Sequence, residues 1–509
     1  MDPTDPGGRP PLPERPAPPQ PAWPPPPAAP SPGWSQPPGS VPPTGPPFLG
    51  QPPPSSGRAG WGDPAGPPGW GPPAPPPRHG RRVGWILAAV AALLAVALVA
   101  TVLVLRPGVQ VGSPPQALRQ RPAIKLPPDP RAEVPRLLAK RAKALLGGDR
   151  AGFLATVDRR RKRYYQSQAT LFARMRTVPF STFSYRVTDP RDHAGPTVDR
   201  RYADPVYLPQ VEARYRFRGQ DASPVLTRYF YTFVLTRSGW RIANQGEAGP
   251  RGRGDVEIWD AGPVKTLRSA RTLIVHHPGD EELAVRLLRV AERAYGQVGA
   301  AWTGRWERKA VILVPRDQDE AERLVGARDL SRVAAVASSS VESGAAERVL
   351  GNRIVVNSTN VVRYNDLNLQ ILITHELTHV ATRTLGDGVP LLLVEGFADW
   401  AALEPIGFPF RDTRPVLAKW VRQGRFDGAL PSDHEFRGRD ASVAYDEGSA
   451  FCLWVAETYG VRKLRALYSE FAGSRPPTTT ELDRGFRHVL GISRRTAEGR
   501  WAAWVRDRL

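Results

Sequence analysis

The stretch that decides the fold and the chemistry of this chain reads Ile371-Leu372-Ile373-Thr374-His375-Glu376-Leu377-Thr378-His379-Val380. Two histidines four positions apart on a helix project from one face, about one turn apart, so His375 and His379 can bind a single metal ion. Glu376 lies within reach of a water molecule at that metal. Only eight histidines occur among 509 residues, so the chance expectation for this HExxH pattern is on the order of 0.01. The apolar flanks predict a buried helix, and the pattern predicts a metal site.

A second apolar stretch supplies a candidate third ligand. It reads Pro390-Leu391-Leu392-Leu393-Val394-Glu395-Gly396-Phe397-Ala398-Asp399-Trp400, a helical pattern that places Glu395 and Asp399 on one face. A carboxylate in such surroundings is costly unless it is paired or coordinated, and a catalytic zinc site needs three protein ligands. We therefore predict that Glu395 completes the metal site. Asp399 is expected to accept the second N–H of a ligating histidine and so to fix its tautomer.

With these two segments, residues 264–509 resemble a gluzincin zinc metallopeptidase. HELTH and LLLVEGFADW are similar to the HExxH and (W/L)xxEGxAxx pair of thermolysin-like and aminopeptidase-N-like enzymes, and more closely to the bacterial peptidase MA-like family. The resemblance implies a thermolysin-like α+β domain that binds Zn²⁺ and hydrolyses a peptide or protein substrate, with Glu376 as general base. Only 15 residues separate His379 from Glu395, and the GxMEN exopeptidase segment is missing. Aminopeptidase specificity is therefore not implied, and the mode of cleavage stays open.

The segments before the HExxH helix are typical of strands around one helix. Apolar, β-branched runs predict strands at Thr272–His276, Ala310–Val314, Val333–Ser338 and Arg353–Asn357, with a helix from Glu281 to Val298. In gluzincins the edge strand of the sheet holds the substrate backbone by strand addition. Val333–Ser338 is the candidate for that edge.

A further group should stabilise the oxyanion that forms when the peptide carbonyl is attacked. The resemblance assigns this role to Tyr445, which precedes a predicted helix beginning near Gly448. By analogy with thermolysin-like sites, His434 is the alternative donor.

The N-terminal part of the chain has a different character. Residues 1–82 are rich in proline, with 32 of the 57 prolines in the first 80 positions, and such a segment buries too little apolar surface to fold. We predict a disordered cytoplasmic tail, which is either a plain flexible segment or a ligand for proline-recognition domains. Residues 83–105 carry no charge and are long enough to cross a bilayer as one helix.

The charges beside this predicted span give it an orientation. Three arginines precede it, at positions 78, 81 and 82, whereas beyond it Arg106 is followed by no basic residue until Arg119. The positive-inside rule therefore predicts a single-pass protein of the cell membrane, with the tail in the cytoplasm and everything after residue 106 outside. Residues 106–128 contain proline and polar residues and are expected to form a linker.

Residues 129–260 are typical of two helices followed by an antiparallel sheet. Helical spacing covers Ala132–Leu146 and the region from about Arg150 to Arg176, and alternating aromatic and β-branched residues then predict strands. The order indicates an α+β domain. With the LLGGDRAGFLATVD and SGWRIANQG segments, it resembles the nuclear-transport-factor-2-like cone fold. The run Arg159–Arg163 lies in the second predicted helix and indicates a solvated face, with contact to anionic lipid or wall polymer as the alternative.

The formal charge of +21 comes mostly from one block of the chain. Residues 106–263 hold 29 Lys and Arg against 14 Asp and Glu, for +15, while residues 264–509 hold 35 against 31, for +4. Because the predicted topology places this block outside the cell, anionic lipid or cell-wall polymer is its expected partner and nucleic acid is not.

Two functions follow from these observations. The favoured one is a membrane-anchored zinc metallopeptidase that acts outside the cytoplasmic membrane. The alternative is an envelope binding or scaffold protein with a structural or inactive zinc site. An intact Glu376 disfavours the alternative, because a purely structural zinc site needs no general base.

Overall fold

The structure is a computed structural model that describes residues 129–248, 254–327, 329–331, 333–342, 348–386 and 388–509, without the side chains of residues 339–342 and 348–350. The predicted tail 1–82, the predicted membrane span 83–105 and the linker 106–128 lie outside these residues. Within the described ranges, no helix combines the length and the apolar character needed to cross a membrane. The described chain is α+β, which is the predicted fold class.

The first lobe, residues 129–261, packs helices against an antiparallel sheet. Its strand order is β1-β3-β4-β2, with β5 also paired to β4. β3 alternates between buried and half-buried side chains, so one face of the sheet meets a core shared with helix α1. In chain order the elements are α1 (Pro130–Gly147), α2 (Arg150–Leu154), α3 (Lys162–Arg176), β1 (Phe180–Asp189), α4 (Pro196–Asp199), β2 (Val206–Tyr207), β3 (Gln210–Phe217), β4 (Val225–Thr236), β5 (Gly239–Gln245) and α5 (Ile258–Ala261).

The second predicted helix, from Arg150 to Arg176, is interrupted. Residues 155–161 lie between α2 and α3 and leave the helical path, because they pair with β5. There the backbone N–H of Asp158 donates to the carbonyl of Ile242 at 2.8 Å. Helical spacing on both sides of the break did not reveal it, since the cause is a contact with a strand far along the chain.

The basic run Arg159–Arg163 is solvated as predicted, since four of its five residues are exposed, but its placement within one helix was wrong. Its first three residues precede α3. Arg160 forms an ion pair with Asp204 at 2.7 Å, and the guanidinium of Arg161 stacks on the ring of Tyr202 at 4.3 Å. Two of these five cationic side chains therefore make contacts within the first lobe.

The second lobe begins with a mixed sheet of order β6-β7-β8-β10-β9. β7, β8 and β10 are parallel, and β6 and β9 are antiparallel strands at the two edges. The predicted edge strand Val333–Ser338 corresponds to β9, which begins two residues later. The elements are β6 (Lys265–Arg268), β7 (Thr272–His276), α6 (Glu281–Ala301), β8 (Ala310–Val314), α7 (Gln318–Val325), β9 (Ala335–Glu342), β10 (Arg348–Val356), α8 (Ser358–Val361), α9 (Asp366–Thr382), α10 (Leu391–Leu403), α11 (Phe410–Thr413), α12 (Pro415–Arg422), α13 (Ala441–Tyr459), α14 (Val461–Glu470), α15 (Thr479–Leu490) and α16 (Arg494–Arg508).

Both faces of this second sheet are covered. In β8, Ala310, Ile312 and Val314 belong to the core formed with the helices, whereas Val311 and Leu313 belong to the core of the first lobe. A strand buried on both faces reads as a continuous apolar run. The first lobe therefore packs on the sheet opposite the helical layer that carries the candidate site.

Candidate metal centre

Helix α9 carries the two predicted histidines and the predicted base. The side chain of Asn365 caps the helix by accepting from the backbone N–H of Asn368 at 2.9 Å. The side chains of His375 and Glu376 are enclosed, with 0% and 1% exposure, as the apolar flanks predict. His379 keeps partial exposure, so the site opens to solvent on that side.

Helix α10 brings the predicted carboxylates Glu395 and Asp399 against α9, and both are buried. The same helix crosses α13 closely at Gly396 and Gly448. A Cβ on Gly396 would overlap the backbone oxygen of Gly448, so glycine is required for this approach. The crossing brings the start of α13, with Tyr445, to the same site.

The three predicted metal ligands converge. His375 Nε2 lies 2.9 Å from His379 Nε2, and Glu395 Oε2 lies 3.4 Å from the first nitrogen and 3.5 Å from the second. Atoms bound at about 2.0–2.2 Å to a tetrahedral zinc ion lie about 3.3–3.5 Å apart, so both distances to Glu395 suit one such ion, whereas the two nitrogens lie closer together than that. Among the residues that the structure describes, no other group of three or more His, Cys, Asp or Glu side chains is so placed.

The charges in this cluster favour a cation at its centre. His375 Nδ1 lies 2.7 Å from Asp399 Oδ1, and an Nδ1–H donated to that carboxylate leaves the Nε2 lone pair facing the other ligands. Glu395 Oε2 is buried and has no hydrogen-bond donor among the residues that the structure describes. Burial lowers the pKa of His375, but Asp399 and Glu395 raise it well above its usual value, so that without a metal Nε2 holds a proton, which a bound cation would displace. Burial also raises the pKa of Glu395, while His379 and His375 hold it at about 2. The carboxylate is therefore ionised, and the residues present fit a zinc ion.

Glu376 lies beside the edge strand of the second sheet. Burial raises the pKa of its carboxyl group, and the two histidines oppose that shift. The backbone N–H of Ala337 in β9 faces this carboxylate and also opposes the rise in its pKa. The edge strand thus acts on the charge of the candidate base, a contribution that the sequence did not reveal.

Tyr445 reaches the site, whereas the alternative donor His434 is exposed and the cluster forms without it. Tyr445 was predicted to precede the helix. In the structure it lies inside α13, near the start of that helix. Its hydroxyl group lies close enough to Glu395 for that carboxylate to act on its proton. Burial, together with the charges of Glu395 and Asp399, raises its pKa well above the usual value. The phenol therefore keeps its proton and can act as a donor.

Comparison with known proteins gives a limited result. No family model matches the chain, and no curated protein matches it. Among solved structures, it is similar to a two-domain M1 zinc metallopeptidase mutant bound to L-arginine, with 19% identity over 50% of this chain and 53% of that one, at a TM-score of 0.27. An M1 zinc metallopeptidase from Deinococcus radiodurans is 19% identical over 49% of this chain and 53% of that one, at a TM-score of 0.25. A mutant from the same organism, bound to a Tyr-Ser-Ala substrate, is 15% identical over 65% and 70%, at 0.27.

The chain thus spans about half the length of the first two of these structures, 53% in each. TM-scores this low do not establish a shared fold. The function therefore rests on the residues of the site itself.

Proposed function

We propose that this chain is a zinc-dependent peptidase that hydrolyses peptide bonds. The observation that carries the proposal is the convergence of His375, His379 and Glu395 beside a buried glutamate, Glu376, at the edge of a sheet. A structural zinc site is closed by a fourth protein ligand and has no use for a base, whereas a catalytic site keeps three ligands and an open position. This arrangement has the second form.

Each residue of the cluster has a distinct role in the proposal. His375, His379 and Glu395 would hold the metal, and Asp399 would orient His375. When bound, zinc would polarise the scissile carbonyl and make a water molecule more acidic. Glu376 takes the proton of the attacking water and later delivers it to the leaving amine.

Tyr445 completes the set of roles. Its phenol donates to the oxygen of the attacked carbonyl as negative charge develops there. The donor is already in place, because the hydroxyl lies close to Glu395 within the site.

The edge strand β9 is the proposed binding surface for the substrate backbone. The backbone N–H of Asn357 donates to Ala334 O at 2.8 Å, and antiparallel pairing alternates along a ladder. In this register Val336 pairs with β10, and the backbone groups of Ala335 and Ala337 turn toward the open edge. The N–H of Ala337 meets Glu376 there. An extended peptide added along this edge would therefore pass directly by the base and the metal ligands.

The place of action belongs to the proposal as well. The uncharged span 83–105 and the arginines before it support a single-pass membrane protein with residues after 106 outside the cytoplasm. The +15 carried by residues 106–263 supports contact with anionic lipid or wall polymer at that surface.

The catalytic proposal is tested on the full chain purified in detergent. We expect one zinc per chain by metal analysis, and zinc-dependent cleavage of an extended peptide library that includes free and blocked N-termini. Glu376→Gln should keep its zinc while hydrolysis is abolished, because an amide cannot accept the proton. Glu447→Gln, a change at a buried carboxylate of α13 outside the cluster, is the matched control and should keep both zinc and activity.

Three results would overturn the catalytic proposal. Undiminished hydrolysis by the Glu376→Gln chain would remove the base from the mechanism. A purified chain without stoichiometric zinc would remove the site, and a zinc-loaded chain inactive on the whole library would favour the binding or scaffold function.

The topology is tested by cysteine labelling in intact cells. The only native cysteine, Cys452, is fully buried, so background labelling should be low. A membrane-impermeant maleimide should label Ser474→Cys, an exposed position of the second lobe, and should label Ser40→Cys in the tail only after lysis. The reverse pattern, or labelling of neither position in intact cells, would overturn the proposed orientation.

A further inference from the structure

A buried ion pair joins the first lobe to the strand beside the edge of the second sheet. Arg353 of β10 binds Asp221 through two bonds, Nη1 to Oδ1 at 2.7 Å and Nη2 to Oδ2 at 2.9 Å. Their side chains are only 8% and 3% exposed. The Asp221 carboxylate also accepts from the backbone N–H of Phe217 at 2.7 Å, and the guanidinium lies 4.7 Å from the centre of the Phe217 ring. The arginine is therefore fixed in orientation as well as paired.

Two further contacts hold the same region of the sheet against the first lobe. A Cβ on Gly351 would overlap the side chain of Val225, at the start of β4. Lys309, just before β8, donates to the carbonyl of Gly219 at 2.7 Å. The loop between β3 and β4 therefore packs directly on the strands next to the edge.

Arg353 lies one step from the candidate base along the strand ladder. It stands opposite Ser338 in β9, the neighbour of Ala337, and β9 lies in contact with the helix that carries Glu376. A buried ion pair adds little net stability, because the cost of removing both charges from water offsets their attraction. The best-attested use of such a pair is to fix a register or a relative position.

We propose that Arg353 and Asp221 are positioning residues for peptide hydrolysis. Through this pair, the first lobe sets the place of β9, and with it the orientation of Glu376 and of the substrate strand added to the edge. The inference rests on the proposed peptidase function. It makes the first lobe a working part of the catalytic unit, because β10, the strand paired with the edge strand, is anchored to that lobe on the side away from the helices.

The pair is tested with two variants of the full chain. Arg353→Lys keeps the charge but cannot make both bonds to one carboxylate. We expect it to keep its zinc and to lose about ten- to hundredfold in kcat/KM on long peptides, the scale of a misplacement near 1 Å. A short substrate that does not span β9 should lose less. The double variant Asp221→Asn/Arg353→Met removes both charges, so it should fold stably while kcat/KM on long peptides stays low.

A matched control separates positioning from general stability. Leu138→Ala leaves a cavity in the core of the first lobe, where Leu138 is 0% exposed, and does not touch the pair. It should lower the melting temperature and leave kcat/KM unchanged below that temperature. Positioning is overturned if Leu138→Ala lowers kcat/KM as much as Arg353→Lys does, or if the double variant recovers wild-type kcat/KM.

The test also distinguishes this inference from the function on which it rests. If the wild-type chain is active and the Arg353→Lys variant keeps the wild-type kcat/KM on both long and short substrates, the inference alone is overturned. A wild-type chain without zinc-dependent hydrolysis would overturn the proposed function, and the inference with it.

Discussion

Tyr445 is a single hydroxyl group held beside the metal ligands. Its ring packs edge-on against Phe436, with the ring centres 5.3 Å apart, and its hydroxyl lies close to Glu395. Because burial raises the pKa of this phenol well above its usual value, the proton stays on the oxygen. A donor fixed in this way needs no reorganisation when negative charge develops on the substrate.

Removing that hydroxyl should slow the chemical step. We expect Tyr445→Phe to lower kcat by about 10²- to 10³-fold, the usual cost of losing one oxyanion donor. KM and zinc content should stay near wild type, since the ring and the metal ligands remain. Tyr459→Phe, on the same helix, is the control, because the buried hydroxyl of Tyr459 has no hydrogen-bond partner within the described part of the chain. Steady-state kinetics decide the question, and a Tyr445→Phe chain with wild-type kcat would exclude Tyr445 from the mechanism.

Some residues of the site could be predicted from the sequence and others could not. The spacing of His375 and His379 places both side chains on one face of any helix that forms there. Glu395 stands out because a carboxylate in an apolar helix needs a partner. The N–H of Ala337 has no such signature, since a backbone donor is supplied by strand position and not by side-chain type. Arg353 is one of 70 basic residues, and only the fold shows that it is buried against Asp221.

Among the elements, the crossing of α10 and α13 controls how the site is assembled. Gly396 and Gly448 let the two helix backbones meet, and the site then receives Glu395 from one helix and Tyr445 from the other. A glycine inside a helical pattern costs stability relative to alanine and usually has a packing reason. The two glycines inside helical patterns therefore indicated close packing, although the sequence did not show that Gly396 contacts Gly448.

A methyl group at this crossing should separate the two helices. We expect Gly396→Ala to lower the free energy of unfolding by about 1–3 kcal/mol through overpacking, and to lower kcat because Tyr445 moves with α13. Gly499→Ala is the opposite control, since a Cβ there meets nothing within 4 Å. Gly499 lies inside α16, so that change should stabilise the chain by up to about 1 kcal/mol. Denaturant unfolding and kcat measure both effects, and a Gly396→Ala chain indistinguishable from wild type would show that the crossing is not tight.

The elements themselves were predicted with uneven success. The four strands and the long helix α6 of the second lobe appear where apolar, β-branched and helical patterns placed them. The break between α2 and α3 was missed because it depends on pairing with β5, a contact that local spacing cannot express. Local periodicity thus located the elements, while long-range backbone pairing set where they stop.

At the scale of the whole molecule, the two lobes share a core across the second sheet. Alternate residues of β7 and β8 pack toward the helices and toward the first lobe. From the sequence these strands read as continuous apolar runs, which indicate burial on both faces but not which partner covers each face. The stability of the second sheet therefore depends on both lobes.

The stability of the whole chain should also depend on pH through a carboxyl group far from the metal ligands. Glu447 in α13 is 7% exposed, and burial, with the nearby charges of Asp427, Glu435 and Asp446, raises its pKa from 4.5 to about 8. The unfolded chain releases this proton at lower pH than the folded chain does. Below pH 4.5 the protonated group contributes its full share of the free energy of unfolding. That share is lost progressively as the pH rises from 4.5 through about 8.

Replacing that group by a neutral one should remove this dependence. At pH 7 the shift corresponds to about 3 kcal/mol, so we expect the Glu447→Gln chain to exceed wild type in free energy of unfolding by about that amount. At pH 5 the difference should fall below about 1 kcal/mol. Denaturant midpoints followed by tryptophan fluorescence at pH 5, 7 and 8.5 measure the difference. Asp483→Asn is the control of opposite sign, because Arg487 lowers the pKa of that exposed carboxyl group. If the difference between Glu447→Gln and wild type does not change with pH, Glu447 is ionised in the folded chain, and burial does not govern its charge.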